Sequence, residues 1–108
     1  MAETFKNAKA VLADTATTIY TVPAGTTAIV IGFQVANIGT QNYPLDISWL
    51  DASDSNTETY LSEAIIIPDG SAYEPIGGKL VLEAGDVLRG SSNQASVFEA
   101  TVSVLELT

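Results

Sequence analysis

An all-β fold, a single antiparallel β-sandwich of about seven or eight strands with jelly-roll or immunoglobulin-like wiring, is the architecture this sequence predicts. Three observations predict it. Apolar residues alternate with period two along most of the chain, the spacing that turns one face of a strand toward a core. No window places apolar residues at i, i+3, i+4 and i+7 between helix caps. Turn signals built on Pro, Gly, Asn and Asp recur roughly every 8 to 12 residues, the rhythm of a sandwich or barrel.

Residues 1–7 lack the alternation and are expected to form a flexible arm, with 8–108 as the folded domain. Thr17–Val22 is rich in β-branched and aromatic residues and leads through Pro23-Ala24-Gly25 into Ala28–Ala36, a hairpin by its turn chemistry. In the second of these strands Ile29, Ile31, Phe33 and Val35 are expected to share the inward face. Leu45–Leu50 alternates with Leu45, Ile47 and Trp49 inward. Glu58–Ile67 follows, up to the breaker Pro68-Asp69-Gly70. Lys79–Leu82, the turn Glu83–Asp86 and Val87–Arg89 come next. A long last strand spans Ser96–Leu107, with Phe98, Ala100, Val102 and Val104 alternating.

The chain has 108 residues, 46% of them apolar and 16% charged, and a formal charge of −9. That apolar share is enough to offset the entropy of ordering, so the chain is expected to fold, as one domain. It contains no Cys and no His, which removes disulfides, thiol nucleophiles, the commonest metal ligands and the usual neutral-pH general base. Four cations, Lys6, Lys9, Lys79 and Arg89, cannot form a basic stripe against 13 acids, so neither nucleic acid nor an anionic membrane is an expected partner. No stretch has the 18 or so apolar residues that span a bilayer, and the first residues lack a signal-peptide core.

Chemistry-bearing groupings are sparse. Asp51, Asp54 and Asn56 share a polar loop, but Ser53, Ser55 and Ser62 occupy positions where a calcium loop needs acids, so no metal or other cofactor is expected. Gly77-Gly78-Lys79 lacks the length and the following Ser or Thr of a phosphate loop and reads as a bend between strands. Scattered acids give no defined carboxylate pair, and the chain is expected not to be an enzyme. Periodicity itself supplies one functional signal. Leu50, Ile65, Ile67, Leu105 and Leu107 are apolar residues assigned to faces away from the core, candidates for a subunit or partner interface. Trp49 and the tyrosines Tyr20, Tyr43, Tyr60 and Tyr73 are the platforms a carbohydrate-binding module would use.

The run from Thr18 to Asn37, in which Tyr20-Thr21-Val22-Pro23-Ala24-Gly25 turns into a strand ending Ala36-Asn37, resembles small virion structural proteins of tailed bacteriophages, especially cyanobacterial and marine phages. Asp46-Ile47-Ser48-Trp49, Leu82-Glu83-Ala84-Gly85-Asp86 and Ser103-Val104-Leu105-Glu106 extend the resemblance over residues 17–107. It implies a capsid decoration, or cement, protein on the outer capsid surface of the virion. Its partner would be the major capsid protein, and its own assembly a homo-oligomer, with a trimer favoured. Ala2, Glu3, Thr4, Phe5, Lys6 and Asn7 would then form an arm that orders on the capsid. A neck, tail or fibre component is the alternative role within the virion.

Overall fold

The computed structural model describes residues 2–108. Its strands are β1 (Glu3–Val11), β2 (Thr17–Thr21), β3 (Thr27–Asn37), β4 (Tyr43–Asp51), β5 (Thr57–Ile67), β6 (Ala72–Tyr73), β7 (Leu80–Leu82), β8 (Val87–Ser92) and β9 (Phe98–Leu107). One 3-10 turn, Ala52–Asp54, joins β4 to β5. One sheet runs β1-β9-β3-β6, with β7 also on β3, and the other runs β2-β8-β4-β5. All pairings are antiparallel.

The wiring follows from one long hairpin. If β6 and β7 are taken as two pieces of a broken strand, β4 pairs β5 at the tip, then β3 pairs β6 and β7, β2 pairs β8, and β1 pairs β9. Rolling that hairpin adds the β3–β9 and β4–β8 ladders and sets the two sheets face to face. This is a jelly roll, which decides between the two wirings the sequence left open. Gly77-Gly78 lies in the bend between β6 and β7.

The core fills from both inner faces: Val30, Phe33, Val35, Phe98, Val102 and Val104 from one sheet, Ile19, Leu45, Ile47 and Leu88 from the other. Leu12, in the β1–β2 connection, closes one end; its N–H donates to the Phe98 carbonyl at 3.0 Å. Gly90 of β8 faces this core, where an added Cβ would lie 2.7 Å from Ile47 Cδ1, 3.0 Å from Leu12 Cδ1 and 3.1 Å from the Asp46 carbonyl oxygen. The sequence Leu82–Asp86 is a turn because Gly85 takes φ 87° and the buried Asp86 carboxylate accepts from Glu83 N–H at 2.8 Å and from Ala52 N–H at 2.9 Å.

Three expectations need correction. Residues 3–7 are not a loose arm; they begin β1, and Glu3–Val11 pairs with β9 from Glu3 opposite Leu107 to Val11 opposite Glu99. Ile29 and Ile31 do not share a face with Phe33 and Val35. The β3–β9 ladder shifts between Val30 and Gly32, leaving Ile31 as an extra residue, and one extra residue inverts the alternation. Ala28 and Val30 therefore line the core, while Ile29 and Ile31 point out. In β5, beyond two register shifts and an Ala64 at φ 52°, Ile65 and Ile67 stand opposite Leu45 and Tyr43 and share the inner face with them. Ile67 is in the core, Ile65 packs against it, and Ile66 is 58% exposed, so the interface assigned to Ile65 and Ile67 does not exist as a surface.

Candidate functional site

The outer face of the β1-β9-β3-β7 sheet carries an apolar row. Phe5 stands opposite Leu105, Leu105 opposite Ile29, and Ile29 opposite Val81, so four strands each contribute one side chain to a single line. Each is flanked in sequence by residues that face inward, such as Val104 and Glu106 around Leu105 and Ala28 and Val30 around Ile29, which fixes the row on the outside. Phe5 at one end is 74% exposed and Val81 at the other 59%, while Leu105 and Ile29 are half-buried by their neighbours. Ile31, 43% exposed at the bulge, and the half-buried Leu107, opposite Glu3 and Thr27, widen the patch.

Leu105 and Leu107 thus lie on the outward face to which alternation assigned them. Leu50 is half-buried on the other sheet, paired with Glu58 and Val87, and does not join them. Periodicity did not mark Ile29 and Val81 as surface residues, and Phe5, placed in the candidate arm, stands instead on a strand. The bulge hid Ile29 from a period-two reading. For Phe5, the inward positions of β1 are Thr4, Lys6, Ala8 and Ala10, too small or polar to mark a strand.

Behind the row a polar clasp ties the sheets together. Glu106, buried on the inner side of β9, accepts from the Tyr20 hydroxyl of β2 at 2.5 Å and pairs with Lys6 Nζ of β1 at 3.2 Å. Tyr20 and then Lys6 hold the Glu106 carboxyl below the usual glutamate range, while burial and this carboxylate push the Tyr20 phenol up. On the opposite sheet Ser48 and Arg89 do the same for Glu58, with contacts of 2.7 Å each. Both carboxyls bind a proton more weakly folded than unfolded. Their stabilisation is therefore present above the ordinary glutamate pKa of about 4.3 and is lost as pH falls through that range toward the lowered values. Glu106→Gln is expected to be less stable than the wild type at pH 7, and that difference should shrink as urea titrations are repeated down to pH 3. A difference that stayed constant with pH would sink the assignment.

Asp51, Glu83 and Asp86 bring carboxylate oxygens within 4.8 Å of one another. Asp86 holds two backbone amides, and Asp51 accepts from Ser53 N–H and its hydroxyl, so both are structural residues of the loops. Asp54 and Asn56 are outside this cluster. Trp49, Tyr43 and Tyr73 pack against the core and Tyr20 serves Glu106, while Tyr60 is 48% exposed. A depression of about 430 Å³, open to solvent, is lined by Lys9, Ala10, Val11, Glu99, Ala100 and Thr101. No described helix is long and apolar enough to cross a membrane.

No protein-family model matches this chain, and no curated protein does. Solved structures share its fold. A chain from the disulfide-linked pili of Bacillus endospore appendages aligns with a TM-score of 0.60 at 15% identity, over 99% of this chain and 87% of that one. The Drosophila NLP core, described for pentamer formation and histone binding, aligns with a TM-score of 0.60 at 8% identity, over 97% and 99%. A chain of the T13 particle of the icosahedral virus IBDV aligns with a TM-score of 0.58 at 7% identity, over 96% of this chain and 30% of that one. At such identities the likeness is one of fold alone.

Proposed function

We propose that this chain is a structural protein of a bacteriophage virion, a capsid decoration protein that binds the major capsid protein on the outer surface of the head and stabilises the shell. The observation that carries this reading is the Phe5–Leu105–Ile29–Val81 row, an apolar sheet face in a chain of charge −9. Such a face stabilises by being covered, about 1.5–3 kcal/mol for a large side chain taken fully out of water. Repetition over a closed shell multiplies a modest contact into avidity. Jelly rolls serve as viral capsid domains, and the motifs from Thr18 to Glu106 resemble phage virion proteins, both of which favour the reading. The acidic surface suits a location away from packaged DNA. Phe5 brings the segment of residues 2–7 into the capsid contact as part of a strand. The work is packing and hydrogen bonding, with no bond made or broken.

The test uses phage heads assembled without this protein. Saturating amounts should raise the calorimetric disruption temperature of the heads, and Ile29→Asp, which alters only the outer face, should bind about tenfold more weakly or worse. An unchanged disruption temperature overturns the decoration role. Binding to isolated tails and not to heads would move the protein to the neck, tail or fibre.

A further inference from the structure

The free edges of the two sheets are unequal. β6 and β7 offer two and three residues and β2 five. β5 has eleven, but two register shifts and the left-handed Ala64 kink it, a usual protection of an edge against added strands. β1 is different: nine residues long, paired with β9 throughout without a shift. Its amide pattern follows from its end. Ala2 and Thr108 exchange N–H···O bonds of 3.1 and 3.0 Å, and Leu12 N–H donates to Phe98. Hydrogen-bonded and non-hydrogen-bonded pairs alternate in an antiparallel ladder, so the even residues of β1 face β9. Glu3, Phe5, Asn7, Lys9 and Val11 turn their N–H and C=O groups to the free side, where no backbone group of the described residues pairs with them.

We infer that two copies of this chain join along that edge, β1 against β1, antiparallel about a two-fold axis, so that one sheet runs through both molecules. Three features select a second copy as the occupant. A two-fold contact needs one competent edge, presented twice. A threefold ring built by strand pairing needs a second, different edge, and β1 is the one long regular edge among the described residues. The charges also match: with Glu3 opposite Lys9 of the second copy, the two outward charges of β1 form two cross-strand pairs. Phe5 then faces Asn7 of the second copy, with the two Phe5 rings as diagonal neighbours. The Lys6 side chains that meet beside the axis each keep Glu106 as counter-ion. Finally, two chains of charge −9 repel over most of their surface, whereas β1 carries two lysines and one glutamate. The joined sheet would extend the apolar row from Val81 of one copy to Val81 of the other and leave its outer face open, so the pairing stands independently of any capsid.

Light scattering coupled to size exclusion, over a range of concentrations at pH 7, reads the result directly. A dimer of the 11.3 kDa chain is expected. Asn7→Pro removes an N–H from the free side only and should give a monomer with an unchanged circular-dichroism melting curve. Lys9→Glu sets two like-charged pairs in place of two opposite ones and should weaken the dimer about tenfold, and Glu3→Lys with Lys9→Glu should restore it. These exposed side chains leave the core untouched, so the charge pair remains decisive even where the proline variant fails to fold. A wild type that is monomeric at all concentrations, or trimeric, overturns the inference, as does a double variant no tighter than Lys9→Glu alone.

Discussion

Phe98→Ala is expected to lower the unfolding free energy by about 3–5 kcal/mol, the range for removing a fully buried phenyl ring from a close-packed core. Phe98 begins β9 at zero exposure, opposite Asn37 of β3, with Leu12 bonded to its carbonyl and Val97 packed beside Gly39. It therefore lies where the β1–β2 connection, the end of β3 and the start of β9 meet, and little of that corner is free to collapse into the space. In a domain of this size the loss corresponds to at least about 12 °C in melting temperature. Urea unfolding at several temperatures measures it, and a change under about 1 kcal/mol would mean that the ring is not in the core.

The second large effect is expected one residue across the ladder. Asn37, buried at the end of β3, donates from Nδ2 to the carbonyls of Ile67 at 2.9 Å and Gln41 at 3.0 Å, and its Oδ1 accepts from Gly39 N–H at 2.9 Å. Its backbone pairs with Ser71 and Gly70. One amide thus fixes the end of β3, the loop to β4 and the end of β5. Asn37→Asp puts a carboxylate oxygen against two carbonyl oxygens and should cost about 3 kcal/mol or more at pH 7, since an unpaired buried polar group costs about 1–3 kcal/mol and a charge more. Burial against two carbonyls raises the pKa of this acid above the ordinary aspartate value of about 3.9, so the deficit should narrow as pH falls toward about 4, where the protonated acid can donate once. A deficit independent of pH would place the damage elsewhere. Because Asn37 and Phe98 are neighbours, the double variant should fall short of the sum of the two losses.

How far the sequence carries depends on whether each feature is local. The alternation in β4 and β9 and the turns at Pro23–Gly25 and Glu83–Asp86 are written in consecutive residues, and the sandwich was legible from them. Leu105 and Leu107 could be placed because β9 is unbroken against β1. What was not legible depends on partners distant in the chain. β1 has small or polar inward residues and exists as a strand because β9 offers it a ladder and Glu106 a counter-ion for Lys6. The bulge of β3 leaves no compositional mark, yet it inverts a face and turns Ile29 outward, and Ile65 and Ile67 face inward because β5 sets them opposite Leu45 and Tyr43, a pairing that the run Ile65-Ile66-Ile67 does not spell out. Asn37 could be read as the end of a strand. Its three side-chain bonds, to segments brought together only by the rolled hairpin, could not.

The extra residue in β3 also bears on which changes in chain length the molecule can absorb. Losing a residue from the middle of a central strand ordinarily exchanges its two faces and destroys the domain. Here Val30 already faces Val104 and Gly32 already faces Ser103, so excising Ile31 would close the gap into a regular ladder with Ala28, Val30, Phe33 and Val35 still inward. Insertions and deletions are usually confined to loops, but this strand holds a position in its interior where one residue can be gained or lost without rewriting the core, at the cost of a single isoleucine on the outer face.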